Sequence, residues 1–270
     1  HNTAEVLSKI EHGITGITDT ARFRHLTKAP VSLIDYNQVE EKLANIFPET
    51  SFTRFEGIAS LSLFEAINNN NIDPGNERTL FILSTTKGNI ELLNSREKPG
   101  KNIWLHHTAQ KIAQLFDFAN QPLVACNACI SGVLALIMAK RYIDNGKYDT
   151  VIVTGADVAT DFVVAGFESF KSMSEQPCKP FDSTRDGLSL GEGAATLIIT
   201  KEPVGSNIKI TAGSSANDAN HISGPSRTGE GLYIATANTI KDIRDIDFIS
   251  AHGTATPYND DMESIAINRL

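Results

Sequence analysis

The sequence predicts an α/β fold whose sheet is covered by helices. Three observations lead there. Short, continuously apolar runs at residues 79–84, 151–153 and 194–199 read as strands covered on both faces. Stretches with helical apolar spacing, at residues 106–118 and 130–145, alternate with them. Turn residues close the elements, as at Thr85-Thr86-Lys87-Gly88 and Asn145-Gly146.

Taken in order, the chain opens on Asn2-Thr3-Ala4-Glu5, a capping-box pattern with Asn2 as the cap. Asn68 to Asn71 reads as a loop at a helix end. The strand at 79–84 follows, then a helix over 106–118 with Ile112, Ala113, Leu115 and Phe116 inward, and residues 122–125 lead into another strand. From 130 to 145 the residues Val133, Leu134, Leu136, Ile137, Met138 and Ala139 almost encircle a helix, which predicts a buried one. Residues 201–206 read as a linker between two halves, assigned as 1–204 and 205–270, with a new strand expected over 208–212. A further strand is expected at 247–250, and 261–270 reads as the first turns of a helix. There is no initiating Met, and the last helix stops without a cap, so the expectation is a chain truncated at both ends.

Composition narrows the function. With 24 basic against 32 acidic residues, a net charge of −8 and a pI near 5.4, the chain lacks the basic excess that a sequence-independent grip on nucleic acid requires. No stretch approaches the roughly 20 apolar residues of a membrane span, and the first residues given show no basic start followed by an apolar run, so the expectation is a soluble, unexported chain. Three cysteines, Cys126, Cys129 and Cys178, do not make a disulfide framework and suit a reducing, cytoplasmic setting.

Cys129 carries the most chemistry. It reads as a helix-capping nucleophile, after a strand and a tight turn at Asn127-Ala128 and at the start of a long helix, where unpaired N–H groups and the helix dipole favour a thiolate. Ser131 and Gly132 keep the approach to the sulfur open. Three other readings stand beside this one: a buried cysteine acting as a small hydrophobe, a redox pair in Cys126-Asn127-Ala128-Cys129, and a zinc ligand, for which the further ligands at suitable spacing are missing. His252, at a strand end in the loop Ser250-Ala251-His252-Gly253-Thr254-Ala255-Thr256-Pro257, is a candidate acid–base or hydrogen-bonding group, and alone it could equally be structural.

Several segments, in order, resemble the β-ketoacyl-acyl-carrier-protein synthases, the elongating condensing enzymes of the thiolase superfamily. Asn127-Ala128-Cys129-Ile130-Ser131-Gly132 is similar to their active-site cysteine segment. Pro180-Phe181-Asp182-Ser183-Thr184-Arg185-Asp186-Gly187 with Gly191-Glu192-Gly193-Ala194 is similar to their PFD…R.G…GEGA run. Asp218-Ala219-Asn220-His221 resembles the start of their second half, and His252 to Pro257 with Asp260 and Glu263 resembles their HGTGTP..D..E loop.

The resemblance implies a thiolase-like layered α/β fold, with the N-terminal half nearly complete and the C-terminal half only begun. It implies an acyltransferase in fatty-acid or polyketide/polyene synthesis, loading an acyl chain on Cys129 and condensing it with decarboxylated malonyl-carrier protein. His252 would stabilise the enolate. Thr254 and Thr256 would bind the phosphopantetheine arm, and Asp182, Arg185, Glu192, Asp260, Glu263 and His221 would be structural. No metal or other cofactor is implied. The expected partners are acyl carrier protein and a second copy or a chain-length factor.

The pattern also includes a first strand before residue 2, and beyond residue 270 a Lys, a second His and a Gly-rich loop with a Phe. The expectation is therefore that these 270 residues alone do not complete condensation. Ala255 and Asn259 depart from the usual loop. Alternatives are a non-catalytic partner subunit of the chain-length-factor kind, a thiolase-like enzyme using coenzyme A, and a purely structural α/β domain.

Overall fold

A computed structural model describes residues 2–23, 29–94, 100–205, 208–220 and 224–270. Its centre is a four-stranded sheet of β3 (Thr79–Ser84), β4 (Leu123–Ala125), β5 (Thr150–Asp157) and β7 (Gly193–Thr200), in the order β4-β3-β5-β7. The first three run parallel and β7 antiparallel. A smaller sheet joins β1 (Ile17–Thr20), β2 (Ala29–Ser32) and β6 (Leu190–Gly191).

Alternation along β3 builds three layers. Phe81 and Leu83 pack with helices α2 (Tyr36–Ile46), α3 (Arg54–Asn70) and α4 (Leu105–Leu115). Leu80 and Ile82 pack on the opposite side against Ala135, Ala139 and Ile143 of α5 (Ser131–Asp144). β3 is buried along its whole length, as its unbroken apolar run predicts. Helix α3 begins with a complete capping box, in which Thr53 and Glu56 satisfy each other's backbone N–H groups.

The remaining helices are α1 (Thr3–Glu11), α6 (Asp161–Ser169), α7 (Glu230–Ala237) and α8 (Pro257–Asn268). Asn2 caps α1 through Glu5 N, as its box predicts. Asp218 caps the approach to α7, accepting from Ser226 N at 2.6 Å and Gly231 N at 3.2 Å. Among the described residues, no helix is long and apolar enough to cross a membrane.

Several expectations need correction. β7 is an edge strand, and Leu197 is 49% exposed, so the run at 194–199 is not covered on both faces. Val133 likewise leaves α5 partly open, at 59% exposed. Residues 208–212 and 247–250 belong to no strand among the described residues; Ile208 and Phe248 are 92% and 82% exposed. The last helix starts at Pro257 rather than 261, since proline at its first turn costs no hydrogen bond. His221 and residue 206 of the expected linker lie outside the described residues.

Candidate active site

The parallel strands β3, β4 and β5 end together, with Ser84, Ala125 and Gly155 in register. Loops leaving this rim therefore converge, which is where open α/β sheets place their ligands. The chain leaving β4 runs through Cys126 to Cys129. Ala128 adopts a left-handed backbone, φ 43°, which turns the chain sharply before Cys129. Ser131 fixes that turn: its Oγ accepts from Asn127 N at 2.8 Å and donates to Ala128 O at 2.6 Å.

Cys129 is exposed and is not itself a helix cap. α5 begins at Ser131 with Ile130 as its cap residue, so the sulfur sits in the turn just ahead of the helix. A Cβ at Gly132 would meet nothing within 4 Å, so the approach is open, as the small residues predict. All three thiols are free.

His252 comes to Cys129 from a segment more than one hundred residues away. The two side chains lie close enough for each to be the largest influence on the other's protonation. This proximity draws the Cys129 thiol below its ordinary value; partial burial opposes the shift, while the charges of His252 and Lys87 add to it. The same proximity raises the His252 imidazole against its partial burial, helped by the charges of Cys129, Glu263 and Asp260. The arrangement favours a thiolate–imidazolium pair.

The loop holding His252 is built by two buried carboxylates one turn apart on α8. Glu263 accepts from His252 N and Gly253 N, each at 2.8 Å, one bond to each oxygen. Asn259 Nδ2 also donates to Glu263, at 3.1 Å, which gives that departure from the family loop a local role. Asp260 accepts from Ala255 N at 3.2 Å and Phe181 N at 2.8 Å, tying the 180–187 segment to the 252–256 loop.

Arg185 lies beside Asp260 at 3.7 Å, pairs with Asp261, and donates to Asp182 O at 2.9 Å. Asp182 Oδ1 accepts from Thr184 N and Oγ1, each at 2.7 Å, and the Thr184 hydroxyl bond leads in pulling its carboxyl below the usual range. A Cβ on Gly253 would come within 3.3 Å of Pro180 and Phe181, and φ there is +56°, so glycine suits both the packing and the backbone. Ala255 has φ 61° with its side chain buried, a strained choice at a loop position where the related pattern carries glycine.

The hydroxyls of Thr254 and Thr256 are 2.8 Å apart. Thr256 is the cap residue of α8 but makes no side-chain capping bond.

Glu192 belongs to a different structure. Its side chain is fully buried, accepts from Arg54 Nε at 2.8 Å, Ile34 N at 3.0 Å and Arg22 at 3.3 Å, and locks α3 to the small sheet. Sequence reasoning passed over its partner Arg54, because nothing in a lone arginine marks a contact 138 residues away. It also assigned no part to Asp157, which terminates β5 and accepts from Thr85 Oγ1, Thr86 N and Thr86 Oγ1. A carboxylate at the end of an apolar strand was the available signal.

The description "Beta-ketoacyl synthase, N-terminal domain" matches residues 5–204, and "Beta-ketoacyl synthase, C-terminal domain" matches residues 208–270. The chain belongs to the β-ketoacyl synthase family. Within this family it is 31% identical, over 186 residues, to a candidate mitochondrial 3-oxoacyl-[acyl-carrier-protein] synthase of Schizosaccharomyces pombe; the match covers 62% of this chain and 44% of the relative.

It is 33% identical over 156 residues to 3-oxoacyl-[acyl-carrier-protein] synthase 2 of Staphylococcus aureus, covering 52% of this chain and 39% of that protein. These matches thus span less than half of the curated relatives. Among solved structures, a ketosynthase of Xenorhabdus doucetiae in complex with its chain length factor superposes with a TM-score of 0.78 at 24% identity, over 100% of this chain and 72% of that one. A β-ketoacyl synthase of Burkholderia phymatum STM815 gives 0.80 at 22% identity, over 99% and 74%. These two likenesses establish the layered thiolase-like fold predicted for this synthase-family chain.

Proposed function

We propose that this chain carries the acyl-accepting centre of a 3-oxoacyl-[acyl-carrier-protein] synthase, with Cys129 as nucleophile. The observation that carries this reading is the meeting of Cys129, on the turn that leaves the rim of β3, β4 and β5, with His252, each the largest influence on the other, the thiol lowered and the imidazole raised. In the first half-reaction the thiolate attacks the thioester carbonyl of an acyl-carrier substrate. The bond from that carbonyl to the pantetheine sulfur breaks, and the departing thiolate takes a proton from the His252 imidazolium.

In the second, malonyl-carrier protein loses carbon dioxide. The electron pair of the broken C–C bond passes into an enolate, whose oxygen accepts a hydrogen bond from His252. The enolate carbon then attacks the acyl carbonyl on Cys129 and releases the cysteine as thiolate, leaving a 3-oxoacyl chain on the carrier.

Thr254 and Thr256 are proposed to bind the pantetheine arm. The Thr256 hydroxyl, not engaged in capping α8, supports that role. Asp182, Arg185, Asp260 and Glu263 shape the loop, and Glu192 anchors the small sheet. The division at 1–204 and 205–270 is part of the same proposal, as is a cytoplasmic setting.

The reaction as written needs no resident cofactor, since the substrates arrive covalently carried. The family's relatives include a polyketide ketosynthase solved with acyl-carrier protein and another solved with a chain length factor, which support proposing both as kinds of partner, in fatty-acid or polyketide synthesis. Retention of Cys129 in a polarising contact weighs against a purely non-catalytic subunit.

The test is incubation with an acyl-carrier thioester followed by peptide mass mapping. An acyl adduct confined to Cys129, and lost in Cys129→Ser, is expected. Equal labelling of Cys126, Cys129 and Cys178, or none, would overturn the assignment.

A further inference from the structure

Helices α3 and α4 lie on the side of the central sheet opposite α5, and between them opens a cavity of about 240 Å³ that the proposed function does not use. Phe52, Ile112 and Leu115 give it apolar walls, and Glu56, Ser60 and Lys111 bring polar groups to it. Glu56 and Ser60 stand four residues apart on α3, so they share one face of that helix; Lys111 and Leu115 do the same on α4.

Most of this wall is tied down from within the protein. Glu56 Oε2 accepts from Thr53 N at 3.1 Å and from Lys111 Nζ at 2.6 Å, and Glu56 Oε1 accepts from Asn89 Nδ2 at 3.0 Å. Lys111 also donates to Ser51 O at 2.8 Å and lies 5.7 Å from the centre of the Phe52 ring, which leans on Phe47 at 5.9 Å. The carboxylate and the ammonium offset each other, so the site presents no net charge.

Ser60 is the exception. It is fully buried, and its Oγ has no hydrogen-bond partner among the described residues. It does not even bond the carbonyl of Glu56, four residues back, where a helical serine commonly turns. A hydroxyl carries one donor and two lone pairs, and roughly 90% or more of buried polar groups are paired. An unpaired hydroxyl at the wall of an apolar, charge-neutral cavity is a recognition group waiting for a partner.

We propose that this cavity binds a small neutral molecule with an apolar body and one hydroxyl, a simple phenol or short alcohol, held by a hydrogen bond to Ser60. A hydroxyl suits Ser60 because each can donate to or accept from the other, whereas a hydrocarbon would leave the serine unpaired. An ionic ligand would find Glu56 and Lys111 already engaged with each other. The size agrees: an apolar cavity of about 150 Å³ takes benzene, and drug-sized ligands need about 300 Å³ or more, so one ring with a short substituent fits. The central sheet separates the site from α5, and the proposal stands whether or not Cys129 is the nucleophile.

The experiment is a titration of the intact chain, wild type and Ser60→Ala, with p-cresol and with toluene, followed through the NMR methyl signals of Ile112 and Leu115. We expect saturable p-cresol shifts at both residues, p-cresol binding in the wild type tighter than toluene, and S60A weakening p-cresol by roughly 5-fold, the worth of one net hydrogen bond, without weakening toluene. The absence of a saturable shift with p-cresol overturns the site. Toluene binding the wild type as tightly as p-cresol, or S60A leaving p-cresol unchanged, overturns the recognition by Ser60 and with it the proposal. Should S60A lose its cooperative melt, the comparison of the two probes on the wild type decides by itself.

Discussion

Glu263→Gln isolates what holds His252 in place. Each carboxylate oxygen of Glu263 accepts one backbone N–H at 2.8 Å, from His252 and from Gly253, in a site where the residue is only 5% exposed. A hydrogen bond to a charged group contributes about 1.5–3 kcal/mol. The amide keeps one acceptor, loses the other, and sets its own N–H₂ against a backbone N–H. The loop is then held less tightly by about 2 kcal/mol, which is roughly a 30-fold rise in its opening equilibrium, since 1.4 kcal/mol is tenfold.

Local opening of this kind is read by amide hydrogen exchange. The amides of His252 and Gly253 in E263Q should exchange about 30-fold faster than in wild type, with amides of β3 unchanged. Removing the Glu263 charge also withdraws one of the influences that raise the His252 imidazole, so the Cys129 alkylation profile should move upward in pH in the same variant. Exchange at residues 252 and 253 that stays at the wild-type rate would refute the claim that Glu263 builds this loop.

Three further outcomes are expected. Because the Cys129 thiol is lowered, its thiolate is present at lower pH, so wild-type alkylation should begin at lower pH than in a free cysteine peptide; His252→Ala removes the largest cause and should return the midpoint towards the peptide's. Glu192→Ala strips Arg54 of its buried partner and should cost about 3–5 kcal/mol in urea unfolding, whereas Cys129→Ser should change that stability little. Gly187→Ala would set a Cβ 2.6 Å from the backbone of Met173 and Ser174, and a lower melting temperature is expected, from a cost of roughly 1–3 kcal/mol.

The layered core was legible because β3 and β5 are unbroken apolar runs, and α5 was legible from its apolar surround. The small sheet was not, since β1 reads Ile-Thr-Asp-Thr and β6 spans only two residues, too little for any period to show. Helix α3 could have been read from its Thr53–Glu56 box, a signal independent of apolar spacing. The segments at 208–212 and 247–250 form no strand among the described residues, since apolar composition states a preference and not a pairing partner.

At the site, Cys129, His252, Asp260 and Glu263 were all recognisable from their motifs, but how they divide the work was not. The sequence could not tell that Glu263 serves two amides while Asp260 joins two segments. The placement of Cys129 ahead of the helix rather than on its cap depends on a single left-handed residue, Ala128, and alanine gives no warning of that conformation.

The Asp260 bridge also has a consequence in time. Its acceptor for Phe181 N lies 79 residues further along the chain. At a synthesis rate of about 5–20 residues per second, the 180–187 segment waits on the order of 4–16 s on the ribosome before the carboxylate that fixes it has been made. During that interval the central sheet can close while the 180–187 segment lacks this anchor, so the candidate site takes its shape after the sheet that supports it.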